Sequence, residues 1–211
     1  MIASYNPAQI GDVLVVVLGP DNGPQQVTQK QGIVEIKDQS GTVIGYNFFD
    51  AQSRLAELAG QNGQIQLNSV QVQKLNQALQ AAGFSTLLPE TEASKFVVGY
   101  VKEMKEHPKS SHLHITTTEV EDGKTLQIVS GSPNMQEGIK VVVAEVGAMM
   151  PAGLIIWPST LKDVESDGMI CSGRELRIPN APDKPGALIL PDEYQVGQSF
   201  DFKQAQTLFS E

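Results

Sequence analysis

The sequence predicts a small α+β domain followed by a small, closed, all-β barrel. Three observations predict it. Residues 1–90 begin with three apolar β-prone runs and end with helix-periodic segments. From Lys95 onward, five short β-prone runs follow one another in about 80 residues with glycine at several corners. Between them lies Pro89-Glu-Thr-Glu-Ala-Ser94, a polar stretch opened by proline and suited to a linker. The expected domains are therefore 1–90 and 95–200.

The first strand is read at Asp12–Leu18, ended by the turn pair Gly19-Pro20. A second is read at Gly32–Lys37 and a third at Thr42–Phe49, with Ser40-Gly41 turning between them. Together they suggest an antiparallel meander. Asp50 is placed to cap a short helix, Ala51–Leu58, that stops at Gly60. Asn68 or Ser69 can cap a longer helix, Val70–Ala82. There Val72, Leu75 and Leu79 recur at three and four residues and form one apolar stripe, and Gly83 closes the helix.

The barrel strands are read at Phe96–Met104, Leu113–Val120, Lys124–Ser130, Lys140–Ala144 and Leu154–Trp157. Gly99, inside the first, suits a corner where a side chain would obstruct the bend.

Composition limits the function. Apolar residues make up 40% of the 211, enough for a core, and aromatics only 6%, so Val, Ile and Leu must fill it. The single cysteine, Cys171, cannot form an internal disulfide. The N-terminus has no basic region, and the apolar run Val13–Leu18 is too short to span a bilayer. The expectation is a soluble, cytoplasmic protein with no membrane partner. Net charge is −9, which opposes phosphate binding. The basic residues are nonetheless concentrated. Residues 95–178 hold 9 basic and 11 acidic groups, against 4 and 8 in residues 1–94. Lys95, Lys102, Lys105 and Lys109 form a locally positive start, with His107, His112 and His114 nearby.

Catalytic and metal chemistry find little support. Cys171 lies in no cysteine-enzyme signature, and the three histidines match no common zinc spacing. No catalytic residue, metal or cofactor is expected.

Three separated motifs carry a family resemblance. FVVGYVKEMKEHPKSSHLHITTTEV, LQIVSGSPNMQEGIKVVVA and VESDGMICSGRELRI, with the tail GALILPDEYQVGQSF, resemble the tRNA-binding domain near the start of bacterial phenylalanyl-tRNA synthetase beta chains. They occur in the same order and at similar spacing, over roughly Lys95 to Phe200. The same module occurs in endothelial-monocyte-activating polypeptide. A 90-residue α+β domain ahead of it looks like the stand-alone YtpR-type proteins. The resemblance implies an OB-fold barrel, tRNA or other structured RNA as the partner, and no catalysis. Its stand-alone relatives are often dimers, so a homodimer is compatible with it.

The resemblance also implies a set of contacts. The loop after His107-Pro108 places Lys109 and His112 where the family usually has Asn and Lys. His112 is mostly neutral near pH 7 and brings less charge. His107 could equally satisfy a backbone carbonyl and stabilise the turn. Ser130-Gly131-Ser132-Pro133-Asn134 stands where the family most often has Cys in place of Ser130. Ser130 and Asn134 offer groups for sugar hydroxyls and phosphates; the segment also reads as a tight turn with Asn134 capping the next short helix, and the two roles can coexist. Ser166 and Met169 correspond to the family's RNA-facing Ser and Met, the first to bond a phosphate, the second to pack on a base or ribose. Arg174 and Arg177 could add phosphate contacts. The expected RNA-binding set is Lys105, Lys109, His112, Ser130, Asn134, Ser166, Met169 and Arg174. Cys171 reads as barrel core, and Trp157 as core, rim plug or stacking platform. The alternative function is a protein-interaction or dimerisation module with vestigial RNA binding.

Overall fold

The computed structural model describes residues 1–90 and 94–210. The chain divides into two compact units, Met1–Glu92 and Ala93–Glu211. The middle of the expected linker, residues 91–93, lies outside the described residues.

The first unit is a six-stranded antiparallel sheet with one long helix on it. Its strands are β1 (Ile2–Tyr5), β2 (Val13–Val17), β3 (Gln26–Lys30), β4 (Ile33–Lys37), β5 (Val43–Phe49) and β6 (Gly63–Ile65), in the order β3-β4-β5-β2-β1-β6. The three strands read from the sequence are β2, β4 and β5. They are not a simple meander, because β5 returns to pair with β2. β1, β3 and β6 escaped the sequence reading. β1 and β6 are short, and β3 is exposed throughout and carries no alternating apolar face.

The helix at Ser69–Ala81 is capped by Asn68. Its side chain accepts from the Gln71 N–H, while the Gln71 side chain accepts from the Asn68 N–H. Val72, Leu75 and Leu79 are buried on the sheet face formed by Tyr5, Leu14, Val16, Ile33, Tyr46 and Phe48. The expected helix Ala51–Leu58 is corrected. It is one helical turn, Ala51–Arg54, followed by a 3-10 turn, Ala56–Leu58. Asp50 adopts a left-handed backbone, φ 51°, and makes no capping bond. The Gln52 N–H donates instead to the Asp12 carboxylate at 3.0 Å, and the Tyr5 hydroxyl donates to the same oxygen.

The second unit is a nearly closed antiparallel barrel. Its strands are β7 (Phe96–Glu106), β8 (His114–Glu121), β9 (Lys124–Ser130), β10 (Lys140–Glu145), β11 (Ser159–Leu161), β12 (Val164–Ser166), β13 (Gly168–Ile170) and β14 (Ile189–Leu190). The sheet order is β13-β10-β7-β8-β9, and β14 adds to β10. The architecture is that of an OB-fold barrel preceded by an α+β unit. The strand expected at Leu154–Trp157 is corrected. That segment makes only a bridge from Ile155 to Met149, and β13 supplies the remaining barrel strand.

The first half of β7, Phe96 to Val101, and the middle of β10 are buried on both faces, which explains their continuous apolar runs. Val97, Val101, Val141 and Val143 point into the barrel with Ile128 and Ile170. Phe96, Val98, Val142 and Ala144 point outward and are covered by residues of the C-terminal segment, including Leu188, Leu190, Tyr194 and Phe200. Gly99 lies in the interior row. A Cβ there would stand 2.6 Å from Val143 Cγ2 and 3.0 Å from Thr118 Cγ2. The constraint at Gly99 is thus steric crowding across two strand pairs.

The barrel closes where β9 meets the β12–β13 segment. The Asp167 N–H donates to Gln127 O at 2.9 Å, and the Gln127 side-chain amide donates to Glu165 O at 2.8 Å. The Val129 N–H donates to the Ser166 hydroxyl oxygen at 3.1 Å, and that hydroxyl donates to Gly168 O. A side-chain hydroxyl therefore does part of the work of a strand ladder.

Candidate nucleic-acid interface

A cleft of about 460 Å³ opens over this closure. The end of β9, with Ser130–Ser132, forms one wall. Leu154–Trp157 and the β11–β12 hairpin form a second, and Met169 with Arg174 and Glu175 a third. Apolar groups (Leu154, Trp157, Met169) face serines and a charged pair of neighbours.

The hairpin is built on a two-residue turn. Lys162 and Asp163 both have positive φ, 46° and 70°, the type I′ geometry that matches the twist of antiparallel strands. Its tip is buckled to the loop after β7. Lys109 pairs with Asp163, and Lys162 Nζ donates to Lys109 O and the Ser110 hydroxyl. Beneath these contacts His107 is buried. Its Nδ1 accepts from the Lys109 N–H at 3.0 Å, so its Nε2 carries the proton and donates to Leu161 O at 3.1 Å. The turn-stabilising reading of His107 is the one the geometry supports, and the carbonyl it satisfies belongs to the hairpin.

Four of the eight expected residues line the cleft: Ser130, Ser166, Met169 and Arg174. Ser166 is 2% exposed, and its hydroxyl accepts from the Val129 N–H and donates to Gly168 O, a closing contact of the barrel. Ser130 is also buried, and its oxygen accepts from the Ser132 N–H. Met169 is half-buried and faces the open space. Arg174 is exposed, with Nη1 3.3 Å from Asp183 Oδ1.

The other four lie outside the cleft lining. Lys109 stands beside it on the buckled loop, exposed but paired to Asp163. Lys105 and His112 are exposed. Asn134 is exposed as a residue, yet its amide is spent on the Ala187 backbone, donating to the carbonyl and accepting from the N–H. Instead of capping the next short helix, it clamps the chain leading into β14.

Two contributors escaped the sequence reading. Lys162 had no Asn-Gly signal to mark its turn. Glu175 was recoverable, because Ser172-Gly-Arg-Glu175 is a capping-box pattern. Its Oε2 accepts from both the Ser172 N–H and hydroxyl, at 2.8 and 2.6 Å.

Cys171 is fully buried among apolar residues. Burial first, and the nearby Glu175 carboxylate second, push its thiol up to about 12. A thiol so protonated is a poor nucleophile. Iodoacetamide at pH 8 should leave the folded protein unlabelled and label it fully in denaturant. Rapid labelling of the native protein would show that Cys171 is accessible. Among the described residues no three His, Cys, Asp or Glu side chains converge as a metal site, and no helix is long and apolar enough to cross a membrane.

Known families match both units. Residues 20–90 match a family described as a domain of unknown function (DUF4479), and residues 96–199 match one described as "Putative tRNA binding domain". The beta subunit of phenylalanine–tRNA ligase from Burkholderia pseudomallei is 42% identical over 146 residues, 64% of this chain, which spans 17% of that subunit. Among solved structures, the C-terminal domain of Plasmodium vivax p43 aligns with a TM-score of 0.36 at 23% identity, over 48% of this chain and 56% of that one. The Bacillus subtilis protein named "Putative tRNA-binding protein YtpR" is 40% identical over 204 residues, 96% of this chain and 100% of its own. With both chains aligned along almost their full lengths, this protein belongs to the YtpR family.

Proposed function

We propose that this chain is a non-catalytic, cytoplasmic tRNA-binding protein that holds structured RNA on the second unit, at the cleft and its flanking loop. The observation that carries the reading is the joining of the His107–Ser110 loop to the β11–β12 hairpin. It brings Lys109 and Lys162 to one side of a cleft that has Arg174 on another wall. These cations would contact phosphates, and the shallow barrel face would recognise shape rather than sequence.

The overall charge of −9 sets the expected strength. Affinity for bulk tRNA should be micromolar at low salt and should fall steeply as salt rises. Anisotropy titrations of labelled tRNA over a salt series test this. Lys109→Ala and Arg174→Ala should each weaken binding about threefold to fivefold and lower the slope of log K against log salt by about 1. An absence of binding at low salt would reject the reading. It would favour the alternative, a protein-docking module, for which the net charge of −9 is the supporting observation.

A further inference from the structure

We infer that the cleft beside Trp157 receives one unpaired, amine-bearing nucleobase of the bound RNA. The inference rests on the RNA-binding reading and deepens it by giving one site a chemical preference.

The cleft volume, about 460 Å³, lies in the range of small-molecule sites, roughly 300–1,000 Å³. A duplex cannot enter such a space, whereas a single base turned out of its stack can. The walls suit a base on both of its aspects. Trp157, half-buried, offers a ring, and Met169 and Leu154 offer polarisable and aliphatic surface for the π face. Gly131, without a side chain, lets the backbone approach closely.

Glu175 supplies the edge recognition. One carboxylate oxygen is saturated by Ser172, and Oε1 has no partner among the described residues. A carboxylate in a cleft repels phosphate but accepts hydrogen bonds from an exocyclic amine, the way an acidic side chain reads cytosine N4. Uracil would set a carbonyl against the same oxygen. Arg174, the residue before it, lines the same wall and is exposed, so it can meet the phosphate carried on the ribose of that base. Acceptor and cation are thus arranged in the order in which a nucleotide presents base and phosphate.

The chain has a single tryptophan, so Trp157 emission excited at 295 nm reports this cleft alone. The full chain would be titrated with single-stranded six-nucleotide cytidine and uridine RNAs, and with a blunt RNA duplex of equal phosphate number. Bulk tRNA binding would be followed in parallel by anisotropy. The cytidine strand should quench Trp157 saturably, at least fivefold more tightly than the uridine strand, and the duplex should leave emission unchanged. Glu175→Gln should remove the preference, and Leu154→Ser, at a residue 59% exposed that can change without disturbing the fold, should weaken cytidine binding severalfold. If tRNA binds by anisotropy while Trp157 emission stays constant with every single strand, the base site is overturned and the RNA-binding reading stands. Equal quenching by cytidine and uridine overturns the amine preference. Quenching by cytidine without any tRNA binding supports the site and removes the broader reading.

Discussion

Gly99→Val should destabilise the second unit more than any exposed substitution in the protein. The Cβ alone would lie 2.6 Å from Val143 Cγ2, 3.0 Å from Thr118 Cγ2 and 3.3 Å from Glu119 O. Neither side-chain neighbour can yield by rotation, because Val143 and Thr118 are fully buried and pack inside the barrel. Relief requires β7 to move away from β8 and β10, and those are the pairings that hold it. Overpacking of this kind costs roughly 1–3 kcal/mol, sometimes more. For a unit of this size the melting temperature should fall by about 10 °C. Cys171 gives a readout confined to this unit, since its thiol becomes reactive only when its core opens. Alkylation in intermediate urea should begin at clearly lower denaturant than in wild type, with Gly99→Ala in between. Unchanged alkylation profiles would mean that the interior has room the geometry does not show.

Replacing Asp163 and Asp183 together by Asn should tighten tRNA binding about tenfold at low salt. Of the three candidate phosphate-binding cations, Lys109 and Arg174 are each held by one of these carboxylates. All four side chains are exposed, from 49% for Arg174 to 89% for Asp183. Exposed pairs of this kind contribute roughly 0–1 kcal/mol to folding, so stability should barely change. Their effect on a polyanion is larger. Each carboxylate must be displaced before its cation can meet a phosphate, and each adds repulsion while it stays. The double variant should also show a steeper dependence of log K on log salt, because more counterions are released per RNA bound. Affinity that is unchanged or weaker in the variant would place the phosphate path elsewhere.

The sequence was most readable where one local cause decides the outcome. Asn68 and Gln71 form the capping box in which the expected cap takes part, and Val72, Leu75 and Leu79 face the sheet. β9 runs over the expected residues, because Gly123 ends one strand pair and Gly131 the next. Readings failed where distant residues compete for the same groups. Asp50 lost its capping role because Asp12, 40 residues before Gln52, accepts from the Gln52 N–H of the first turn instead. Leu154–Trp157 is apolar and β-prone, but the edge of β10 is taken by Gly168–Ile170, a run too short to stand out. Ser166 reads as a binding group through the family resemblance, and Asn134 because its polar atoms suit RNA. Only the fold reveals that Val129 and Ala187 already occupy those atoms. A motif marks positions under constraint, and it does not distinguish a constraint from ligand from a constraint from neighbouring backbone.

The closing of the barrel through Ser166 has a mechanical meaning. A cylinder zipped by an unbroken ladder resists prising apart along its whole length. This one is fastened at its last joint by a serine hydroxyl, the Gln127 amide and the Asp167 main-chain bond. Rupture of a few such fasteners is a local event, far less demanding than global unfolding. The cleft lies directly above that joint, and Ser166 belongs to its lining. The width of the cleft and the tightness of the joint are therefore one variable. A molecule wedged between Trp157 and Met169 would strain the fastening beneath it, and any change that loosens the fastening would widen the space above.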